Sequence, residues 1–256
     1  MSTNYIVNCD LKVLHSNFND ECVVIDKNFK NNKLMQSIVQ NCSTYYGFLH
    51  LNYIKNNYSE IYEKINFDLL REYDLIGGQG SEELINNVSP KVISYIREAL
   101  FYYSNYLKPK NIHTINNLLI IGGGYGMEAV ILHYICSLLD VKINSIIGID
   151  MPNVANLQNT FFKLTNMNSI CKSYSPETIF TDIDYVYSNC CLAELTPDIN
   201  LNYYNNIMLN SKGFFLIWGL WAAEIPNYYK EYIADNKLIS LLNDGLAPNT
   251  NCLFAK

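Results

Sequence analysis

Leu118-Leu119-Ile120-Ile121-Gly122-Gly123-Gly124-Tyr125-Gly126-Met127-Glu128 is the stretch whose reading decides the fold. The apolar residues read as a short buried strand, the glycines turn the chain, and Glu128-Ala129-Val130-Ile131-Leu132 opens a helical pattern. Strand, turn and helix start are the parts of a nucleotide site. Gly122 permits a sharp turn off the strand, Gly124 lets backbone approach a ligand, and Gly126 lets the helix pack closely on the strand. An ordinary tight turn with no ligand is the competing reading. The dinucleotide fingerprint G-x-G-x-x-G would need its third glycine at Met127, so that register is not matched.

Working outward, the segment after the turn alternates regularly. A helix over 126-139 leads to the strand Ser145-Ile146-Ile147-Gly148-Ile149-Asp150, then a helix through Asn153-Lys163 and a short strand near Ile170-Tyr174. The strand Asp184-Tyr185-Val186-Tyr187-Ser188-Asn189, a helix across Asp198-Leu209 and the strand Gly213-Phe214-Phe215-Leu216-Ile217-Trp218 follow. Apolar strands separated by helices predict an α/β fold, Rossmann-like, with a parallel sheet covered by helices on both faces. The ligand is then expected at the carboxyl ends of the strands, where the strand order reverses. Two closing strands, Leu238-Leu242 and Cys252-Ala255, are expected after one more helix from Ile225.

Upstream, the apolar residues from Leu34 to Ile65 recur at helical spacing, interrupted near Gly47 and Asn56-Asn57, and predict two or three helices. Residues 1 to about 30 give no clear pattern. Leu75-Ile76-Gly77-Gly78-Gln79-Gly80-Ser81 reads as a linker or as a loop held against a substrate. Ser89-Pro90 starts a helix, with Ser89 as N-cap and Pro90 at the first helical position, that runs to Lys108-Pro109. Residues 1-110 are therefore expected as a mostly helical cap or dimerisation lobe and 111-256 as the ligand-binding core.

At 256 residues the chain buries a sizeable interior, and its hydrophobic content of 49% is that of a globular protein. The formal net charge of -6 argues against nucleic acid or an anionic membrane surface as partner. The 8 cysteines show no C-x-x-C and no paired Cys/His spacing, so a metal site is not expected. No basic leader followed by an apolar core and no long apolar run are seen, so the expected location is cytoplasmic, with reduced thiols and no membrane insertion.

The turn as it stands, G-x-G-x-G on Gly122, Gly124 and Gly126, resembles the first motif of class I S-adenosylmethionine (SAM)-dependent methyltransferases. Residues 70 to 220 resemble more particularly the sugar O-methyltransferases of bacterial surface-glycan gene sets. The likeness rests on Asp150-Met151-Pro152-Asn153-Val154 with Gln158, on Tyr187-Ser188-Asn189-Cys190-Cys191-Leu192-Ala193-Glu194-Leu195, on Tyr203-Tyr204 and on Lys212-Gly213-Phe214. It implies a methyltransferase sheet with an antiparallel end, SAM as cofactor and a sugar or nucleotide-sugar substrate. Cys190-Cys191 stand where small or hydroxyl residues would be expected.

Asp150 ends the second strand, where an acid accepts hydrogen bonds from both ribose hydroxyls of an adenosine; a helix N-cap is the competing role. Tyr174 and Ser175 end the third strand and would flank the adenine, or simply pack. The expected cofactor set is Gly122, Gly123, Gly124, Gly126, Asp150, Met151, Tyr174, Ser175 and Ser188. Transfer from a sulfonium expels a neutral thioether, so positioning supplies most of the rate, but a poorly acidic hydroxyl needs a base. Glu194, past the fourth strand, is the expected base or a solvated acid at a helix start. Asn189 would position the acceptor or the cofactor's methionine end, and His50 is the second candidate base if the helical lobe folds over the site. His133, two turns into its helix, and His113, at the opposite sheet end, are expected to be structural; His15 lies in the lobe.

The function expected is methyl transfer to a hydroxyl of a sugar, a nucleotide-activated hexose or heptose for capsule or lipopolysaccharide. A nicotinamide-dependent sugar oxidoreductase and a non-catalytic methyltransferase-fold partner subunit are the alternatives. The tyrosine-rich helical lobe is compatible with a homodimer.

Overall fold

The computed structural model describes residues 28–39, 42–80, 83–178, 180–219, 224–229, 239–240 and 250–255. His15, the pattern before residue 28 and most of the expected helix after Ile225 lie outside them. The elements run α1 (Lys33–Val39), α2 (Thr44–Asn57), α3 (Ser59–Tyr62), α4 (Phe67–Asp74), α5 (Pro90–Tyr102), β1 (Thr114–Ile121), α6 (Met127–Leu138), β2 (Lys142–Ile149), α7 (Pro152–Leu164) and β3 (Cys171–Tyr174). Then come β4 (Tyr185–Asn189), α8 (Cys191–Glu194), α9 (Pro197–Tyr203), β5 (Gly213–Gly219), β6 (Ile239–Ser240) and β7 (Thr250–Ala255).

The seven strands among the described residues form one sheet in the order β3-β2-β1-β4-β5-β7-β6. The pairs β1 with β2, β1 with β4, β2 with β3 and β4 with β5 are parallel, whereas β7 runs antiparallel to β5 and to β6. The fold is thus α/β with an antiparallel end, as expected. The chain winds outward from β1 to β3, then crosses back to β4 on the other side of β1. That reversal falls between β1 and β4, and open α/β sheets receive ligands beyond the carboxyl ends of the strands at such a switch point.

Alternation along the strands divides the apolar residues between two layers. Leu118 and Ile120 of β1 and Phe215 and Ile217 of β5 join one cluster with α5, α6 and α7, including Val92, Ile96, Ile131, Leu157 and Phe161. Leu119 and Ile121, with Phe214, Leu216 and Trp218, face the opposite layer, which holds Leu192 of α8, Tyr203 of α9 and Met208. Both faces of the parallel strands are covered, which is why they read as continuous apolar runs.

β1 and β2 begin earlier than their apolar cores, at Thr114 and Lys142. Their first turns of strand carry Asn116 and Asn144, whose side chains hydrogen-bond each other across the pair at 2.9 Å. The N-terminal helices add to the same core: α2 packs on α5 and α5 on α6, so Met35, Leu51 and Ile54 belong to the cluster that contains Ile131.

Ser89 occupies the N-cap position of α5, but its side chain makes no cap bond within the helix. Its hydroxyl donates to Oδ1 of Asp74 at 3.0 Å, and its backbone N–H to Oδ2 at 2.6 Å. The start of α5 is therefore held by the last residue of α4. Asp74 also accepts from the Lys30 ammonium at 3.2 Å, with both side chains fully buried.

Candidate active site at the sheet's carboxyl edge

The turn after β1 has left-handed backbone at Gly122 (φ 75°), Gly124 (φ 56°) and Gly126 (φ 107°), conformations that side-chain-bearing residues avoid. Two of these glycines also make room for neighbours. A Cβ on Gly122 would lie 2.2 Å from Cβ of Cys191 and 2.3 Å from its sulfur. A Cβ on Gly126 would lie 2.9 Å from the Phe162 ring and 3.2 Å from Phe161. Gly122 is thus seated against Cys191 rather than against open space. Gly126 brings the start of α6 against the aromatic residues of α7. Gly123 accepts the Gly126 N–H at 3.0 Å, closing the turn.

Asp150 follows β2 and is half-buried. Its Oδ1 accepts the N–H of Met151, the N-cap residue of α7, at 2.9 Å. Its Oδ2 accepts from the side-chain amide of Gln158 at 2.9 Å. The same amide nitrogen donates to the Gly124 carbonyl at 2.7 Å, and Ser173 donates to Gln158 Oε1. Gln158, on α7 and 1% exposed, therefore ties the acid to the glycine turn. It reaches the turn over Gly148, where a Cβ would lie 2.2 Å from Ser173 Oγ and 3.0 Å from Gln158 Oε1. Asp150 thus stands one residue before the N-cap of α7, with one oxygen on that cap's N–H and the other on the amide that bonds the glycine turn.

Asn189, the last residue of β4, joins two carboxylates. Its side-chain nitrogen donates to Oε2 of Glu98 on α5 at 2.8 Å and to Oε1 of Glu128 on α6 at 2.7 Å. Tyr187 adds a bond to Glu128 Oε1 at 3.2 Å, and Ser94 one to Glu98 Oε1 at 2.8 Å. Burial, and then the like charge of Glu98, push the Glu128 carboxyl up to about 8 against the opposing pull of Asn189, Lys91 and Tyr187. Sequence reasoning quoted Glu128 only as a helix start and passed over Glu98. The signal for Glu98 was a carboxylate among Ile93, Ile96, Ala99 and Leu100, all buried residues of α5.

Glu194 ends α8 and is half-buried. It is near enough to act electrostatically on Cys190 and Cys191, but the Asn189 amide bonds Glu98 and Glu128 instead. Cys190 has a left-handed backbone (φ 63°). Burial, then Glu194 and Glu98, raise its thiol to about 12, so it is no ready nucleophile.

The other expected site residues divide. Ser188 is 1% exposed and donates its hydroxyl to the Ile121 carbonyl at 3.0 Å, which ties the ends of β4 and β1 together beneath the turn. Tyr174 stands at the end of β3, with its ring edge-on to Phe180 at 5.2 Å and Lys172 5.2 Å over its face. Ser175, next to it, hydrogen-bonds the exposed Glu177 carboxylate and holds that carboxyl below its ordinary value.

His50 lies on α2, 6% exposed. Burial, then the charges of Arg97 and Lys91, lower it to about 3, so it is neutral and a feeble base at ordinary pH. His133 is lowered by burial alone.

Tyr125, inside the turn, is 1% exposed and packs against Phe161 at 5.2 Å and Phe29 at 5.7 Å. The Lys30 ammonium sits 4.7 Å over its ring, a cation–π contact held in place by Asp74. No group of His, Cys, Asp and Glu among the described residues has the arrangement of a metal site, and no helix among them is long and apolar enough to cross a membrane.

No family model and no curated protein matches the chain. Solved structures do, and methyltransferases are among them. The mitomycin 7-O-methyltransferase MmcR is 12% identical, with 66% of this chain and 55% of that chain covered and a TM-score of 0.46. An O-methyltransferase family protein from Burkholderia thailandensis is 8% identical, with 67% and 59% covered and a TM-score of 0.41. The N-terminal domain of EvdMO1, solved with S-adenosylhomocysteine and D-fucose, is 14% identical, with 56% of each covered and a TM-score of 0.39. The chain spans little more than half the length of these structures.

Proposed function

We propose that this chain is a SAM-dependent O-methyltransferase whose acceptor is a sugar hydroxyl, on a nucleotide-activated hexose or heptose of surface-glycan synthesis. The observation that carries the cofactor reading is the Gln158 amide, which bonds the Gly124 carbonyl and Asp150 Oδ2 together at the switch point of the sheet. An acid so held fits a ribose diol, and left-handed glycine backbone beside it fits a close-lying methionine tail. Met151 and Tyr174 stand at neighbouring strand ends, where they would flank the adenine. When bound, the cofactor supplies a methyl group carried on a positively charged sulfur.

The rest falls to the chain's own residues. Asp150 orients the adenosyl end, and the backbone of Gly122, Gly123 and Gly124 limits how the tail lies. The carboxylates at this edge, Glu194 from the sequence and Glu98 with Glu128 beside Asn189, are the groups available to an acceptor hydroxyl. The sugar rests on the family resemblance of residues 70 to 220. Tyr45 and Phe48, exposed large side chains of α2, support a homodimer contact through that helix.

Calorimetry with S-adenosylhomocysteine and with NAD tests the reading. Binding of the former is expected. NAD binding with no response to S-adenosylhomocysteine would replace it with the oxidoreductase reading. Labelled SAM with a panel of nucleotide sugars then locates the transferred methyl by NMR. An inert panel in the presence of cofactor binding would remove the sugar and leave the cofactor.

A further inference from the structure

Two carboxylates meeting on one amide is a costly arrangement. Glu98 Oε2 and Glu128 Oε1 share the Asn189 nitrogen, so they stand no farther apart than those two hydrogen bonds laid end to end. At such range two ionised carboxylates repel strongly in a water-poor site, and burial together with that repulsion holds the Glu128 carboxyl well above its ordinary value. The groups around Glu128 are Glu98, Lys91 and Tyr95 from α5, Tyr187 and Asn189 from β4, and Cys190 and Cys191 after it. Lys91 is the cation among them.

Both hydrogen bonds to Glu128 fall on Oε1. Oε2 is left to carry or receive a proton. Glu128 is also the second residue of the helix that leaves the glycine turn, and its carboxyl bonds Asn189, the last residue of β4. Glu98 is less buried than Glu128 and offers a route for a proton to water.

We propose that Glu128 Oε2, tuned by Glu98 through the Asn189 bridge, takes the proton of the acceptor hydroxyl during methyl transfer. This rests on the methyltransferase reading. As the acceptor oxygen bonds to the methyl carbon, the carbon–sulfur bond breaks and its electron pair stays on sulfur. The hydroxyl proton passes to the ionised Glu128 carboxylate, and from the pair to solvent. The state that reacts is the one with Glu128 ionised, so turnover rises as pH climbs through the titration of Glu128.

Three variants test this. Glu128→Gln is expected to lower kcat by about a hundredfold or more while S-adenosylhomocysteine affinity stays within about threefold. Glu98→Gln keeps the amide bridge but removes the like charge, so the acid limb of its kcat–pH profile moves to lower pH. Glu194→Gln leaves that limb where it is. Normal turnover in Glu128→Gln, or an unmoved limb in Glu98→Gln, overturns the assignment. If Glu128→Gln does not fold, the Glu98→Gln limb decides alone. Loss of S-adenosylhomocysteine binding by the unmodified chain refutes the cofactor reading itself; retained binding with an unmoved limb refutes only the base.

Discussion

Gln158 sets the position of Asp150: its amide nitrogen lies 2.9 Å from Oδ2 of the acid and 2.7 Å from the Gly124 carbonyl. A leucine of similar size at 158 would leave the Gly124 carbonyl and the Ser173 hydroxyl without this partner, at about 1–3 kcal/mol for a buried polar group. Gln158→Leu should therefore bind S-adenosylhomocysteine roughly ten- to a hundredfold more weakly by calorimetry. Gly148→Ala should act the same way, because its methyl would sit 2.2 Å from Ser173 Oγ. Unchanged affinity in both would detach Asp150 from cofactor binding.

Glu128 makes stability depend on pH. Its carboxyl titrates at about 8 in the folded chain, against an ordinary value of 4.5, so the folded state holds the extra proton between these limits. The unfolded chain releases that proton first, and stability falls as pH rises from about 4.5 to 8. In urea unfolding, Glu128→Gln should flatten this slope and be the more stable protein at pH 9. A slope that persists in the variant would contradict it.

His50 acts in the opposite direction. Lowered to about 3 from 6.5, it stays neutral in the fold, and the stability tied to its neutrality is lost as pH falls from 6.5 toward 3. His50→Asn should lessen acid unfolding in that window and leave the kcat–pH profile above pH 6 unmoved. A displaced kinetic limb would return His50 to the list of bases.

Lys30 and Asp74 form a fully buried pair. Burial lowers the Lys30 ammonium, and Asp74 opposes that. Asp74→Ala strands the ammonium and frees the Ser89 groups that start α5, so a loss of about 3–5 kcal/mol is expected in thermal or urea unfolding. Lys30→Met together with Asp74→Leu should recover part of it, because the desolvation of both charges goes too.

Strong periodicity made the sheet legible. The runs around Ile121, Ile149, Val186 and Leu216 are apolar because both faces are covered, and the glycine turn was read in place. The early parts of β1 and β2 were missed because Asn116 and Asn144 break the apolar pattern while still pairing across the strands. Asn189 was legible as a polar strand end. Its partners were not, since Glu98 is 91 residues away and Glu128 is 61, and nothing local marks such a meeting. Ser89 looked like a helix cap by spacing, but its bond to Asp74 is tertiary.

The Lys30 ammonium over the Tyr125 ring has a practical consequence. Residues that precede every strand of the sheet reach into the bend where the nucleotide is expected, so trimming the chain to its α/β half would strip a covering from that bend. Whatever draws Phe29 and Lys30 outward, whether a deletion, a fused tag or a binding protein, should be felt as slackened grip on the cofactor.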